Sequence, residues 1–223
     1  MKRKLTLALF AAFMLAACRK DQIEKSIPSI PQIPEQENNQ PVDGTTVNNN
    51  NIVYTQVNQD LSYNKFITID ADKNGKNDFY FTSVLIYFDN ESHMYLLASP
   101  VSASGSKLLL DNRQELVMNG MWGKPLDAGA IIGATVPANT EWNSFFTKGV
   151  VLDAIDNGTP VRELYGPWIG KTDKYLGMQI IINGKVHFGW IHLSQDVNEA
   201  RITIVSFAFN AKPDETIKAG QID

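Results

Sequence analysis

Between Asp70 and Asp78 the side-chain types and their spacing point to chemistry: Asp70-Ala71-Asp72-Lys73-Asn74-Gly75-Lys76-Asn77-Asp78. The segment reads D-x-D-x-N-G-x-x-D, so the first, third and fifth side chains can curl inward and place oxygens around a hard cation. Glycine at the sixth position permits the sharp turn, the seventh offers a backbone carbonyl, and the ninth adds a further side chain directly or through water. Oxygen donors in this number select calcium over softer metals. A complete EF-hand would place Glu at the twelfth position, where Phe81 stands, so a bidentate ligand is lost. Calcium sites outside cells can work at ~0.1–1 mM. The competing reading is a polar Asn-Gly hairpin loop that binds nothing. Asp70, Asp72, Asn74, Gly75 and Asp78 all match within one short window, which favours the metal.

The stretches on either side of the loop are strand-like, not helical. In that setting it resembles the calcium loops in β-hairpins of integrin-type blades and the Asp-rich loops of the thrombospondin and dockerin families. The resemblance implies Asp70, Asp72, Asn74 and Asp78 as side-chain ligands and Lys76 as the carbonyl donor. A propeller would need several such loops, and the chain has one.

Catalytic signatures are absent: there is no H-E-x-x-H, G-x-S-x-G, P-loop or Rossmann glycine pattern. His187 and His192 are five apart on one expected strand and so project from opposite faces, which argues against a shared metal. Glu141, Asp153, Asp156 and Glu163 are the remaining carboxylates that could form a glycosidase pair, with Asp153 and Asp156 expected in a turn. Laminarinase-type jelly rolls carry E-x-D-x-x-E on one strand, and nothing here matches it. Of the four tryptophans, Trp190 sits in an apolar strand and reads as core. Trp122 and Trp168 lie in Gly/Pro-rich segments and are the candidate exposed platforms for a ligand such as a sugar ring.

The elements that must position these residues are β-strands. Residues 66–69 and 79–88 are aromatic and β-branched and bounded by turn residues. Residues 176–182, Asn183-Gly184 and 185–193 form the clearest hairpin, because Asn-Gly favours the positive φ angles of a type I′ turn. Residues 201–209 follow as a third strand after a turn at 196–199. Val186, Phe188 and Trp190 fall on one face and Ile191 and Leu193 on the other, the pattern of a strand covered on both sides. One or two helical turns are expected at 111–118 and 139–146. The expected fold is an all-β antiparallel sandwich, jelly-roll-like, with low helix content.

The N-terminal end sets location. Lys2, Arg3 and Lys4 precede an apolar run over 5–17 that ends at Leu15-Ala16-Ala17-Cys18. This is the layout of a secretory signal, and the run is too short for a mature transmembrane helix, which needs ~20 residues. The last four residues resemble the lipobox of bacterial lipoproteins, which implies a signal peptide at 1–17, cleavage before Cys18 and acylation of the Cys18 thiol and new amino end, a palmitate-type anchor. Residues 18–51, with Pro28, Pro31, Pro34, Pro41 and the run Asn48 to Asn51, are expected to form a disordered tether ahead of a sandwich domain over 52–223. Lys20-Asp21 resembles the charged export signals of Bacteroidetes surface lipoproteins. Removing the leader takes away three bases and no acid, so the mature chain is more acidic than the net charge of -4. It has no basic cluster to displace counterions from phosphate, which argues against nucleic acid as a partner. With Cys18 acylated no thiol is left for disulfides.

Tyr165-Gly166-Pro167-Trp168, Ile182-Asn183-Gly184-Lys185 and His187-Phe188-Gly189-Trp190-Ile191, together with the Asp loop, resemble a group of uncharacterised secreted or surface-anchored proteins of Bacteroidetes and other bacteria. That resemblance implies an exported β-sandwich and no known activity. The reading is an outer-membrane, lipid-anchored module, periplasm-facing or at the cell surface. It carries structural calcium and binds a glycan or a surface protein without catalysis. The alternative is an unrecognised glycan-active hydrolase.

Overall fold

Asn183 and Gly184 take φ angles of 51° and 75° in the computed structural model, the left-handed pair a two-residue type I′ turn requires. The structure describes residues 46–47, 51–88, 90–115, 121–143, 149–156 and 163–223. The chain divides into two units, Met1–Gln40 and Pro41–Asp223, and every described residue belongs to the second.

The first eight strands are β1 (Thr46–Val47), β2 (Ile52–Leu61), β3 (Phe66–Ile69), β4 (Phe79–Phe88), β5 (Glu91–Pro100), β6 (Lys107–Glu115), β7 (Met121–Gly123) and β8 (Pro125–Leu126). They are followed by β9 (Ile131–Ile132), β10 (Thr140–Asn143), β11 (Gly149–Asp156), β12 (Glu163–Tyr165), β13 (Lys174–Ile182), β14 (Lys185–Ser194), β15 (Ile202–Asn210) and β16 (Ile217–Lys218). Hydrogen bonding orders them β1-β2-β15-β14-β13-β6-β7-β11-β5-β4-β3, with β8, β10 and β12 paired at the sides and β16 with β9 as a separate ribbon. All pairings are antiparallel except β7 with β11.

This order folds back on itself as a β-sandwich. One core cluster takes Phe79 and Phe81 from β4 and Leu96 and Ala98 from β5. The same cluster takes Leu176 and Met178 from β13, Ile191 and Leu193 from β14, and Ile204 and Phe207 from β15. The strands at the two ends of the order thus bury their side chains against each other, and β2 touches β3 and β4 directly. A second cluster lies on the other face of β13–β15: Tyr175, Phe188, Trp190 and Ala208 are covered by Leu126, Ile132, Ile217 and Ala219. The two-sided burial expected from the alternation on β14 is therefore present.

Three expectations need correction or extension. No helix forms among the described residues. Asp111 lies in β6 and Thr140–Asn143 in β10, and the two strands pair with Thr140 opposite Asp111. Their local propensity is overridden by the neighbouring strand; residues 116–118 and 144–146 lie outside the described residues. Asp153 and Asp156 lie in strand, not turn, because β11 is held by β5 on one side and β12 on the other. Thr46–Val47, within the segment expected as tether, pairs with β2, placing Thr46 opposite Tyr54.

Candidate metal centre

The acidic loop joins β3 to β4. Ile69 pairs with Phe79, and the Asp78 N–H donates to the Ile69 carbonyl at 2.8 Å, closing the loop at its base. Lys73 and Gly75 turn the chain with φ angles of 58° and 84°. Inside the turn, backbone donors converge on the carboxylates. Asp70 Oδ1 accepts from Asn74 N at 3.1 Å and its Oδ2 from Gly75 N at 2.8 Å. Asp72 accepts from the Asn74 side-chain amide at 2.9 Å, while Asn74 Oδ1 accepts from Lys76 N at 2.8 Å.

Asp78 approaches from below and is 4% exposed. Its Oδ2 accepts from Ala71 N at 2.9 Å and its Oδ1 from the Ser106 hydroxyl at 3.0 Å. Ser106 is buried at the end of the β5–β6 loop, which also donates from Val101 N to the Asp78 carbonyl at 2.8 Å. One ligand atom from each of Asp70, Asp72 and Asp78 lies within 4.8 Å of the others. This cluster could hold a metal ion, since a carboxylate keeps lone pairs free beyond one hydrogen bond per oxygen. Burial, reinforced by the neighbouring carboxylates, holds the Asp70 and Asp78 carboxyls above their usual range. A cation among them would reverse that shift.

Of the sequence-derived donors, the structure brings together Asp70, Asp72 and Asp78. Asn74 is exposed on the loop and bonded to Asp72, and Lys76 contributes its N–H to Asn74. Ser106 was not legible in advance. It is 28 residues from Asp78 and carries no motif of its own.

The other candidates do not converge. Trp168, expected as an exposed platform, is fully buried, and its indole N–H donates to the Gly123 carbonyl at 2.7 Å. Trp122 is half-buried, packed on Tyr95 and Leu97 and lying over Gly166, where an added Cβ would come within 2.5 Å of its ring. Trp142 donates to the Gly133 carbonyl at 3.1 Å, and Trp190 is core. His187 and His192 fall on opposite faces of β14. His187 Nδ1 lies 2.8 Å from the Asn210 carbonyl, and His192 stacks on Tyr175 in the other layer. Glu141 lies on β10 bonded to Asn143, and Glu163 lies on β12 bonded to the Tyr165 hydroxyl. The side chains of Asp153 and Asp156, and the whole of Cys18, lie outside the described residues. No protein-family model, curated protein or solved structure matches this chain.

Proposed function

We propose that this chain is an exported, lipid-anchored surface module whose β-sandwich binds calcium and whose role is recognition of a glycan or protein partner, not catalysis. The observation that carries the reading is the convergence of Asp70, Asp72 and Asp78, with ligand atoms within 4.8 Å, on a loop with the oxygen spacing suited to calcium. Asn74 and the Lys76 carbonyl complete the donor set in this reading. Calcium is structural: it offsets the repulsion among the acids and ties the base of β3–β4 to the β5–β6 loop through Asp78. The lipobox-like Leu15-Ala16-Ala17-Cys18 supports the anchor and export to the outer membrane. The lack of any catalytic signature in the sequence supports binding over hydrolysis.

Two measurements test it. Calorimetric titration of calcium into chelator-treated protein should give one site, lost in Asp72→Ala. Mass spectrometry of membrane-extracted protein should show an acylated Cys18. Absence of calcium heat removes the metal reading, and an unmodified soluble chain removes the anchor.

A further inference from the structure

We propose that Asn74-Gly75 is a self-modifying site, at which the metal-free loop promotes loss of the Asn74 side-chain amide and so rewrites its own ligand set. The geometry stands apart from the metal reading, whereas control of the site by calcium rests on it. Asn-Gly is the pair in which such a reaction meets least hindrance, because glycine has no Cβ to crowd its nitrogen. The sequence has three others, Asn119-Gly120, Asn157-Gly158 and Asn183-Gly184. At Asn74 each reacting atom already has a partner suited to its part. The Gly75 N–H, whose nitrogen is the nucleophile, donates to Asp70 Oδ2 at 2.8 Å, while Asp70 Oδ1 is held by Asn74 N at 3.1 Å. The Asn74 side-chain oxygen, where negative charge develops, accepts from Lys76 N at 2.8 Å. The Asn74 amide nitrogen, the leaving group, donates to Asp72 Oδ2 at 2.9 Å.

The bond to Lys76 N, two residues on, folds the carboxamide back over the Asn74–Gly75 peptide. The Gly75 proton lies in the peptide plane toward Asp70, so the face of the nitrogen is open to the Asn74 Cγ. Asp70 takes that proton as the bond from Gly75 N to Cγ forms. The Cγ–Nδ2 bond breaks, and the nitrogen leaves as ammonia, carrying the proton that Gly75 gave up. Water then opens the five-membered imide, and it has access because Asn74 and Gly75 are both exposed. Opening at Cγ leaves an aspartyl side chain, which adds a negative charge at the fifth loop position. Opening at the main-chain carbonyl leaves an isoaspartyl link, which inserts the side-chain methylene into the backbone and spoils the alternate spacing of the donors. Bound calcium blocks the first step, because Asp70, Asp72 and the Asn74 oxygen then face the ion. Asn183-Gly184 lacks this arrangement: it forms a tight turn, and among the described residues no carboxylate is hydrogen-bonded to either member.

The test incubates the detergent-solubilised full chain at neutral pH in chelator, native and in guanidinium chloride, and follows each Asn-Gly peptide by mass spectrometry. Unfolding removes the geometry and leaves the sequence. Native Asn74 should convert about tenfold faster than unfolded Asn74, less than the ~100-fold of an enzymatic base because the loop is open to water. Native Asn183 should show no such advantage. Asp70→Asn keeps an acceptor for Gly75 N but no base, and should erase the advantage while retaining a cooperative melt. Lys73→Ala, outside these contacts, should keep it. A native Asn74 rate equal to or below the unfolded rate overturns the proposal without need of any variant, and so does an undiminished advantage in folded Asp70→Asn. Millimolar calcium should suppress conversion in the native chain and leave the unfolded rate unchanged. A native, Asp70-dependent advantage that calcium does not reduce supports the modification site and overturns the metal reading alone.

Discussion

On β14, Phe188 and Trp190 are buried on one face and Ile191 and Leu193 on the other. On β4, burial fails halfway along a single face, between Phe81 and Leu85. The half built from β13–β15 and β2 is covered twice, by the central core and by the segment carrying β8, β9 and β16. The half built from β3–β5 has the central core on one side and, among the described residues, the small Tyr95–Leu97 cluster on the other. The acidic loop and the exposed Tyr87 both belong to this second half. Burial is thus divided unequally between the two halves: one is covered on both faces, and the other keeps polar and aromatic groups at the surface. Substitutions should reveal the division as a contrast in size.

The largest effect belongs to the doubly covered half. Trp190 is 1% exposed, packs edge-on against Tyr175 at 5.2 Å and donates its indole N–H to the Gln221 carbonyl. Trp190→Ala should cost about 3–5 kcal/mol in urea unfolding, from lost transfer energy plus a cavity. Tyr87→Ala, an aromatic truncation on the other half, should cost under about 1 kcal/mol. Comparable losses would show that the β4–β5 end is packed after all.

Next in size is the calcium increment. An ion that binds the folded loop and not the unfolded chain adds about 2.7 kcal/mol at 100 times its dissociation constant. Asp70→Ala or Asp72→Ala should abolish the increment and exposed Lys73→Ala should keep it, as read from melting curves in chelator and in millimolar calcium. The same loop sets a pH signature. In chelator the raised folded pKa values of Asp70 and Asp78 mean their contribution is fully present below the ordinary 3.8 and is lost as pH rises through the folded values. Calcium should remove or invert that trend. A trend identical with and without calcium would place no ion among these carboxylates.

Two glycines extend the comparison at lower amplitude. Gly184 ends the β13–β14 turn with φ of 75° and Gly75 sits in the acidic loop with φ of 84°, and an added Cβ at either meets nothing within 4 Å. Space is therefore not the issue, and each Gly→Ala change should cost about 1–2 kcal/mol from the left-handed backbone alone. In calcium, Gly75→Ala should also lose part of the metal increment, while Gly184→Ala should lose none. Thermal melts of both variants in both conditions separate the two effects.

The parts legible in sequence were those specified locally. The strands Phe66–Ile69 and Phe79–Phe88, the Asn183-Gly184 turn and the alternation on β14 are each dictated by neighbours within a few residues. The acid spacing of 70–78 is local too, which is why the carboxylate cluster could be anticipated. What failed depended on distant partners. Trp168 reads as an exposed loop tryptophan until the Gly123 carbonyl, 45 residues away, takes its N–H. Residues 139–143 look helical until β6 offers them an edge. The hydrogen bonds of Ser106 to Asp78 and of Asn64 to Ser83 arise from contacts between separate segments, for which no spacing rule exists. The exposure of Tyr87 is of the same kind, since nothing in the alternation of β4 says where its cover ends.

The smallest expected effect tests whether the doubly covered half also responds to pH. His192 is half-buried on the outer layer of β14, its ring stacked on Tyr175 at 4.9 Å and its Nε2 3.2 Å from Asp173 Oδ1. The same Asp173 oxygen accepts the Tyr175 hydroxyl at 3.1 Å, and burial together with Asp173 pushes the Tyr175 phenol up to about 12. For His192, burial outweighs both the attraction of Asp173 and the hydrogen bond to the Thr172 backbone, so its pKa falls below the ordinary 6.5. The folded state then resists protonation more than the unfolded chain does. Stability is full above pH 6.5 and declines as pH falls through the lower folded value. Urea midpoints of wild type between pH 7.5 and 5 should show that decline, and His192→Gln should flatten it. Asp173→Asn should steepen it, because the one carboxylate favouring the imidazolium is gone. A wild-type midpoint that rises on acidification would mean that Asp173, not burial, governs the ring, and the outer layer of this half would be wetter than its packing indicates.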